Sequence, residues 1–149
     1  MKKILIIMRH GQAGFSAQAD AQRTLTADGE KQAARTGRLL KQAGFTPQLI
    51  LCSPLLRARQ SAQLAAQAWQ MTPQDETALD GRLSAAGLLE MAQDYLTQYD
   101  SVMLVGHNPN VSLAAGILSG TYLSFRPADA AVFDVTDFSQ PKCLFKEIS

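Results

Sequence analysis

Cysteine is scarce: Cys52 and Cys143 are the only two, and they form no spaced framework. That excludes a disulfide-stapled secreted scaffold and fits a reducing cytoplasm, although sequence alone does not say whether the two could meet. Long hydrophobic runs are also missing. The apolar run over residues 4–8 follows two lysines but stops at Arg9-His10, too short for a secretory core. No later run could span a bilayer. Neither sign of charge is in excess, since 14 Lys and Arg face 13 Asp and Glu. A general nucleic-acid or membrane-surface role needs a basic surplus, so both are set aside. Repeats, low-complexity segments and linkers are absent. What is present, 149 residues with 46% hydrophobic and 18% charged, suits one packed domain over 1–149 rather than a disordered chain.

The apolar pattern is that of buried strands alternating with helices. Residues 4–8 and 49–52 are short and continuously apolar, as strands covered on both faces are. Residues 102–105 repeat the pattern, and 131–135 and 143–148 read as two further strands. A polar loop over 11–23 follows the first strand. Thr26 is then a plausible N-cap, with Asp28 and Glu30 in the first helical turn and Gly44 at the C′ position. Ala33, Ala34, Gly37, Leu40 and Ala43 give that helix its apolar stripe. Ser53-Pro54 is expected to open a second helix reaching about Trp69, with Pro54 in its first turn. An irregular stretch through Pro73 and Asp80 precedes a third helix over 85–99, and a fourth covers 111–118. The alternation predicts an α/β three-layer sandwich with a mainly parallel central sheet and helices on both faces. Ligands of such sheets bind beyond the carboxyl ends of the strands.

The chemistry gathers at those ends. The chain has two histidines, and each follows a buried strand: His10 after the first and His107 after the third. Arg9 adjoins His10, and Arg57 is expected near the start of the helix after the second strand. The helix starts near Ser53 and Asn108 would add backbone N–H donors. This set suits a phosphoryl group. The guanidinium fork matches phosphate oxygens, and neighbouring arginines hold a histidine neutral and nucleophilic. An imidazole that attacks phosphorus forms a phosphohistidine, which water then hydrolyses. Gly11 would let the backbone approach the substrate beside the nucleophile.

Four segments in order carry a resemblance to a known family. Arg9-His10-Gly11, then Arg23-Thr24-Leu25-Thr26 with Gly29, then Ser53-Pro54-Leu55-Leu56-Arg57-Ala58 with Gln60-Ser61, then Gly106-His107-Asn108-Pro109 resemble the motifs of the histidine phosphatase (phosphoglycerate-mutase-like) superfamily. The short length resembles its compact SixA-like branch, which removes phosphate from phosphohistidine in proteins. The resemblance implies that His10 is the nucleophile and that Arg9, Arg57 and His107 bind phosphate, with no cofactor and no metal; His107 is also a candidate catalytic residue, as a weak proton donor to the leaving group. It also implies a substrate that is a phosphohistidine-bearing protein or a small phosphorylated molecule. Larger members supply a glutamate acid from an insertion for which this chain has no clear counterpart. Asp80 is the nearest candidate acid, and Arg23 is either a substrate contact or a loop tether.

Other chemistries fit less well. Two histidines without further ligands at metal-site spacing do not make a zinc site. A thiolate phosphatase loop would need arginine at position 58, which is Ala58, so Cys52 reads as core packing. A small-molecule phosphomonoesterase and a non-catalytic phosphoryl-binding module remain as alternatives. Arg57 and Arg59 lie about 200° apart on a helix, so only one of them can face a site.

Overall fold

A computed structural model describes residues 1–15 and 19–149 of the chain. The middle of the expected 11–23 loop, residues 16–18, lies outside the described residues. The strands are β1 (Ile4–Arg9), β2 (Leu49–Cys52), β3 (Gln74–Asp75), β4 (Ser101–Gly106), β5 (Ala130–Asp134) and β6 (Lys142–Glu147). The helices are α1 (Ala27–Gln42), α2 (Leu56–Ala66), α3 (Ala85–Tyr95) and α4 (Asn110–Ser119), with single 3₁₀ turns at Asp20–Gln22, Gln67–Trp69 and Thr77–Leu79. All six described strands join one sheet in the order β3-β2-β4-β1-β5-β6. Neighbours from β3 to β1 pair in parallel, whereas β5 runs antiparallel to both β1 and β6.

The sheet divides two cores. In β1, Leu5 and Ile7 point into a cluster with Leu88 and Ala92 of α3 and Val111, Ala115 and Leu118 of α4. The alternate residues Ile6 and Met8 point the other way, into Ala33 and Leu40 of α1 and Ala62 and Ala65 of α2. All four side chains in β1 are wholly buried, which is why the strand is apolar without alternation. The expected α/β three-layer sandwich is therefore the architecture found. Among the described residues no helix is long and apolar enough to cross a membrane.

Several local expectations need correction. The second helix does not open at Ser53-Pro54. Ser53 continues the sheet ladder by donating its N–H to Val105 O, and Leu55 stays extended with ψ at 137°. The helix therefore begins at Leu56, with the Leu55 carbonyl accepting its first bond, and the residue before Pro54 is held out of the helix as expected of that position. The third helix stops at Tyr95 rather than Tyr99, with residues 96–98 in turns. Ala43 is exposed and closes α1 without joining the stripe, where the buried Thr36 stands instead. Thr36 Oγ1 donates to Ala128 O at 2.7 Å, so a polar group is satisfied there. Strand β3 lies within the stretch read as irregular; it is two exposed polar residues long. Cys52 is buried and Cys143 exposed, and both are free thiols.

Candidate active site

The carboxyl ends of β1 and β4 lie side by side. Arg9 is registered against Gly106, so the next residue on each strand is a histidine. His10 N donates to Gly106 O at 3.1 Å, and the two imidazole centroids are 5.1 Å apart with planes at 58°. Both rings are largely enclosed, at 8% and 7% exposure.

The His10 ring has a fixed tautomer. Its Nδ1 lies 2.6 Å from Gly11 O, and a carbonyl can only accept, so Nδ1 carries the hydrogen. The lone pair is thereby left on Nε2. Burial pushes the His10 pKa down to about 4; the Gly11 carbonyl opposes this, and His107, Arg57 and Arg9 add to it. His107 is also held down to about 4, by burial and then by Arg57, against the pull of Asp20 and Asp80. Its Nε2 is 2.7 Å from the hydroxyl of the wholly buried Ser53, while its buried Nδ1 has no partner among the described residues.

A pH dependence follows. Both rings are neutral above about 4 and protonated below it, so an acid limb due to His10 should be centred near pH 4. An unperturbed histidine would place that limb at roughly 6.5. Initial rates on an aryl phosphate from pH 3 to 8 measure it; a fall centred between 6 and 7 would contradict the enclosed, neutral His10. Stability moves in the same direction. Between about 4 and the unfolded value near 6.5 the unfolded chain binds more protons, so stability is lost as pH falls through that window.

Two guanidinium groups flank the histidines. Arg9 Nη1 donates to Phe125 O at 3.0 Å, and its buried Nε has no partner among the described residues. Arg57, in the first turn of α2, is 8% exposed. Its Nη1 donates to Asp20 O at 2.9 Å and its Nη2 to Asp20 Oδ2 at 3.1 Å. Asp20 is 64% exposed, so solvent competes for its carboxylate and an arriving dianion can displace it from Arg57. Arg59 turns to the other side of the helix, where both its Nε and Nη2 engage Asp75, at 3.2 and 2.5 Å.

Helix α2 also holds the loop that carries His10. Gln60 Oε1 accepts from Leu25 N at 2.9 Å; Ser61 Oγ accepts from Gly11 N at 2.8 Å and donates to Arg57 O at 2.7 Å. Thr26 caps α1 by accepting from Gly29 N, as expected. Gly11 also serves a packing contact. A Cβ there would stand 2.6 Å from Gly29 O, so its missing side chain admits the first turn of α1. Gly29 is constrained in return, since its own Cβ would fall 2.0 Å from Gln12 O.

The remaining candidates separate clearly. Arg23 ties down the loop: Nε donates to Gly14 O, Nη1 to Asp20 Oδ1, and the guanidinium lies over the Phe15 ring. Asp80 accepts from Arg82 through both Nε and the backbone N–H, which holds its carboxyl below the usual range and makes it a poor proton donor at neutral pH. The Cys52 thiol, wholly buried and beside Asp75, is pushed up to about 12 and stays protonated. Among the described residues, no three His, Cys, Asp or Glu side chains cluster as a metal site. Sequence reasoning missed Asp20. Its signal was an acid three residues before Arg23, in the loop following His10. The assembled site offers a neutral imidazole lone pair beside two guanidinium groups, an arrangement suited to receiving a phosphoryl dianion.

Comparison with known proteins agrees. Residues 5–111 match the histidine phosphatase superfamily (branch 1). A phosphohistidine phosphatase SixA homolog of Haemophilus influenzae is 32% identical over 139 residues, covering 85% of each chain. An uncharacterized chloroplastic protein of Arabidopsis thaliana is 28% identical over 140 residues, 86% of this chain; the chain spans 64% of that relative's length. The solved structure of the protein histidine phosphatase SixA complexed with tungstate superposes with a TM-score of 0.87 over 97% of this chain and 96% of its own, at 22% identity, and so has the same fold.

Proposed function

This chain belongs to the histidine phosphatase superfamily, and we propose that it is a phosphohistidine phosphatase working through a phosphorylated His10. The observation that carries this is the fixed ring of His10, with Nδ1–H on the Gly11 carbonyl and Nε2 free, beside Arg9 and Arg57. The phosphoryl oxygens take the place of Asp20 on the Arg57 fork and engage Arg9 and His107. His10 Nε2 attacks phosphorus, and the bond to the leaving group breaks with its electron pair on that group. His10 then carries a phosphoryl group on a cationic ring whose Nδ1–H stays on Gly11 O. Water attacks the same phosphorus, the electron pair of the P–N bond returns to Nε2, and dihydrogen phosphate leaves. The arginines supply the charge that stabilises both transition states.

The leaving group decides the substrate class. Asp80 is held as an anion by Arg82, so a strong proton donor is not evident among the described residues. An alkoxide needs firm protonation as it departs, whereas a phosphohistidine ring already carrying a proton leaves as neutral imidazole. Transfer from one imidazole to another is also close to balanced in bond energy. The relationship to the Haemophilus influenzae protein, named a phosphohistidine phosphatase homolog, supports a phosphohistidine-bearing protein as partner.

The test is turnover of a phosphohistidine protein, a phosphohistidine peptide and unactivated alkyl phosphates, side by side in excess chelator. Catalytic efficiency on phosphohistidine should exceed that on alkyl phosphates by at least about tenfold, a barrier difference of only ~1.4 kcal/mol. A sugar or glycerate phosphate as the better substrate would make the protein a small-molecule phosphomonoesterase. Binding of phosphate without any turnover would make it a non-catalytic module.

A further inference from the structure

The loop acid Asp20 is the one described carboxylate bonded directly to the phosphate-facing fork of Arg57. It is also held from behind. Arg23 Nη1 binds Asp20 Oδ1 at 3.1 Å, and Arg23 is itself fixed by Gly14 O at 2.8 Å and by its stack on Phe15 at 4.2 Å. The two oxygens of one carboxylate therefore answer to different arginines. When a phosphoryl group takes Arg57, Oδ2 is released, but Oδ1 remains tethered to Arg23. The carboxylate stays at the rim of the site with one oxygen unoccupied, and at 64% exposure a substrate side chain can reach it.

We propose that this freed oxygen of Asp20 accepts the N–H of the departing imidazole ring and so sets a preference for phosphorus–nitrogen over phosphorus–oxygen bonds. The proposal rests on the phosphohistidine reading above. The attack comes from His10, enclosed at the strand ends, so the leaving group departs toward the open rim where Asp20 stands. In that step His10 Nε2 forms the new P–N bond, and the old P–N bond breaks with its electron pair on the leaving nitrogen. The other ring nitrogen keeps its proton, donated to Asp20, so the ring departs neutral. An anionic acceptor stabilises the protonated ring that makes this departure easy. The same charge repels a departing oxygen that gains negative charge. The loops thus hold Asp20 as an anion where a proton donor for esters would have been needed; Arg23 first and Arg57 after it keep its carboxyl below the usual range.

The experiment compares wild type, Asp20→Asn and Asp20→Glu on a phosphohistidine peptide and on an aryl phosphate, with inhibition by inorganic phosphate measured in parallel. For Asp20→Asn, kcat/KM on the peptide should fall on the order of tenfold, the scale of one charged hydrogen bond. On the aryl phosphate it should rise, which also reports that the variant is folded. Asp20→Glu should recover much of the peptide preference. An equal change on both substrates would overturn the proposal and leave Asp20 as a prop for Arg57. Tighter phosphate inhibition with equal gains on both would overturn it in favour of a simple plug. Failure of wild type to turn over the peptide at all would instead refute the phosphohistidine reading itself.

Discussion

Replacing His10 with alanine is expected to abolish turnover, with a loss on the order of 10⁴ or more, as for removal of a nucleophile that forms a covalent intermediate. Binding of a phosphate mimic should weaken only modestly, because Arg9 and Arg57 keep their positions and most of the charge. Arg9 is anchored on Phe125 O and Arg57 is carried by α2, so neither depends on the His10 ring. The split between lost rate and retained binding distinguishes a nucleophile from a binding residue. Rapid quenching of labelled wild-type reactions should trap an adduct that is labile in acid and stable in base, as a phosphoramidate is. The same adduct persisting on the alanine variant would refute the assignment of His10.

Arg57→Ala should cost far more than Arg59→Ala. Arg57 is enclosed next to both histidines, and its charge helps to hold each of them neutral. Losing its fork should remove ~2–4 kcal/mol of transition-state stabilisation, or about 10²–10³ in rate. Arg59 sits two residues on, across the helix, in a surface pair with Asp75 whose partners are 41% and 46% exposed. Solvent screens a surface pair of this kind, and Arg59 has no bond toward the site. Its replacement should leave kcat/KM within a few-fold of wild type. Comparable small losses at both positions would show that the clamp on the phosphoryl group lies elsewhere.

The main features of the site are legible in the sequence because they sit at strand ends. A run such as Ile4-Leu5-Ile6-Ile7-Met8 has one structural meaning when both sheet faces are covered, and His10 follows from where it stops. His107 follows from Val102 to Val105 in the same way. The roles of Gln60 and Ser61 were not legible. Their spacing places them on α2, but that they receive Leu25 and Gly11 depends on how the loop folds back. Asp20 was missed for a related reason. It belongs to no periodic element, and its meaning comes from Arg57, 37 residues later. The antiparallel direction of β5 was not legible either, since a buried strand shows the same apolar run in either direction. Adjacency to His10 points Gly11 toward a substrate; only the packing reveals the helix turn against it.

The pairing of β1 with β4 has a bearing on how well the site tolerates change. Parallel neighbours in a sheet stand roughly 4.7–4.9 Å apart, and the imidazole centroids stand 5.1 Å apart. The distance between His10 and His107 is therefore close to the pitch of the hydrogen-bond ladder, set where Arg9 meets Gly106. A gauge cut into the backbone does not drift when exposed loops lengthen or surface helices are redecorated, provided that Ser53 and Ser61, which hold His107 and Gly11, are kept. Substrate preference can then be reshaped at the rim, through residues such as Asp20 and Arg23, without moving the two rings relative to each other. Conversely, a one-residue slip between these two strands would carry one histidine a full strand step, roughly 3.3 Å, past the other. The rim of the site can thus vary apart from its base, which is held by two adjacent strands whose inner residues, Leu5 to Met8 and Val102 to Val105, are wholly buried.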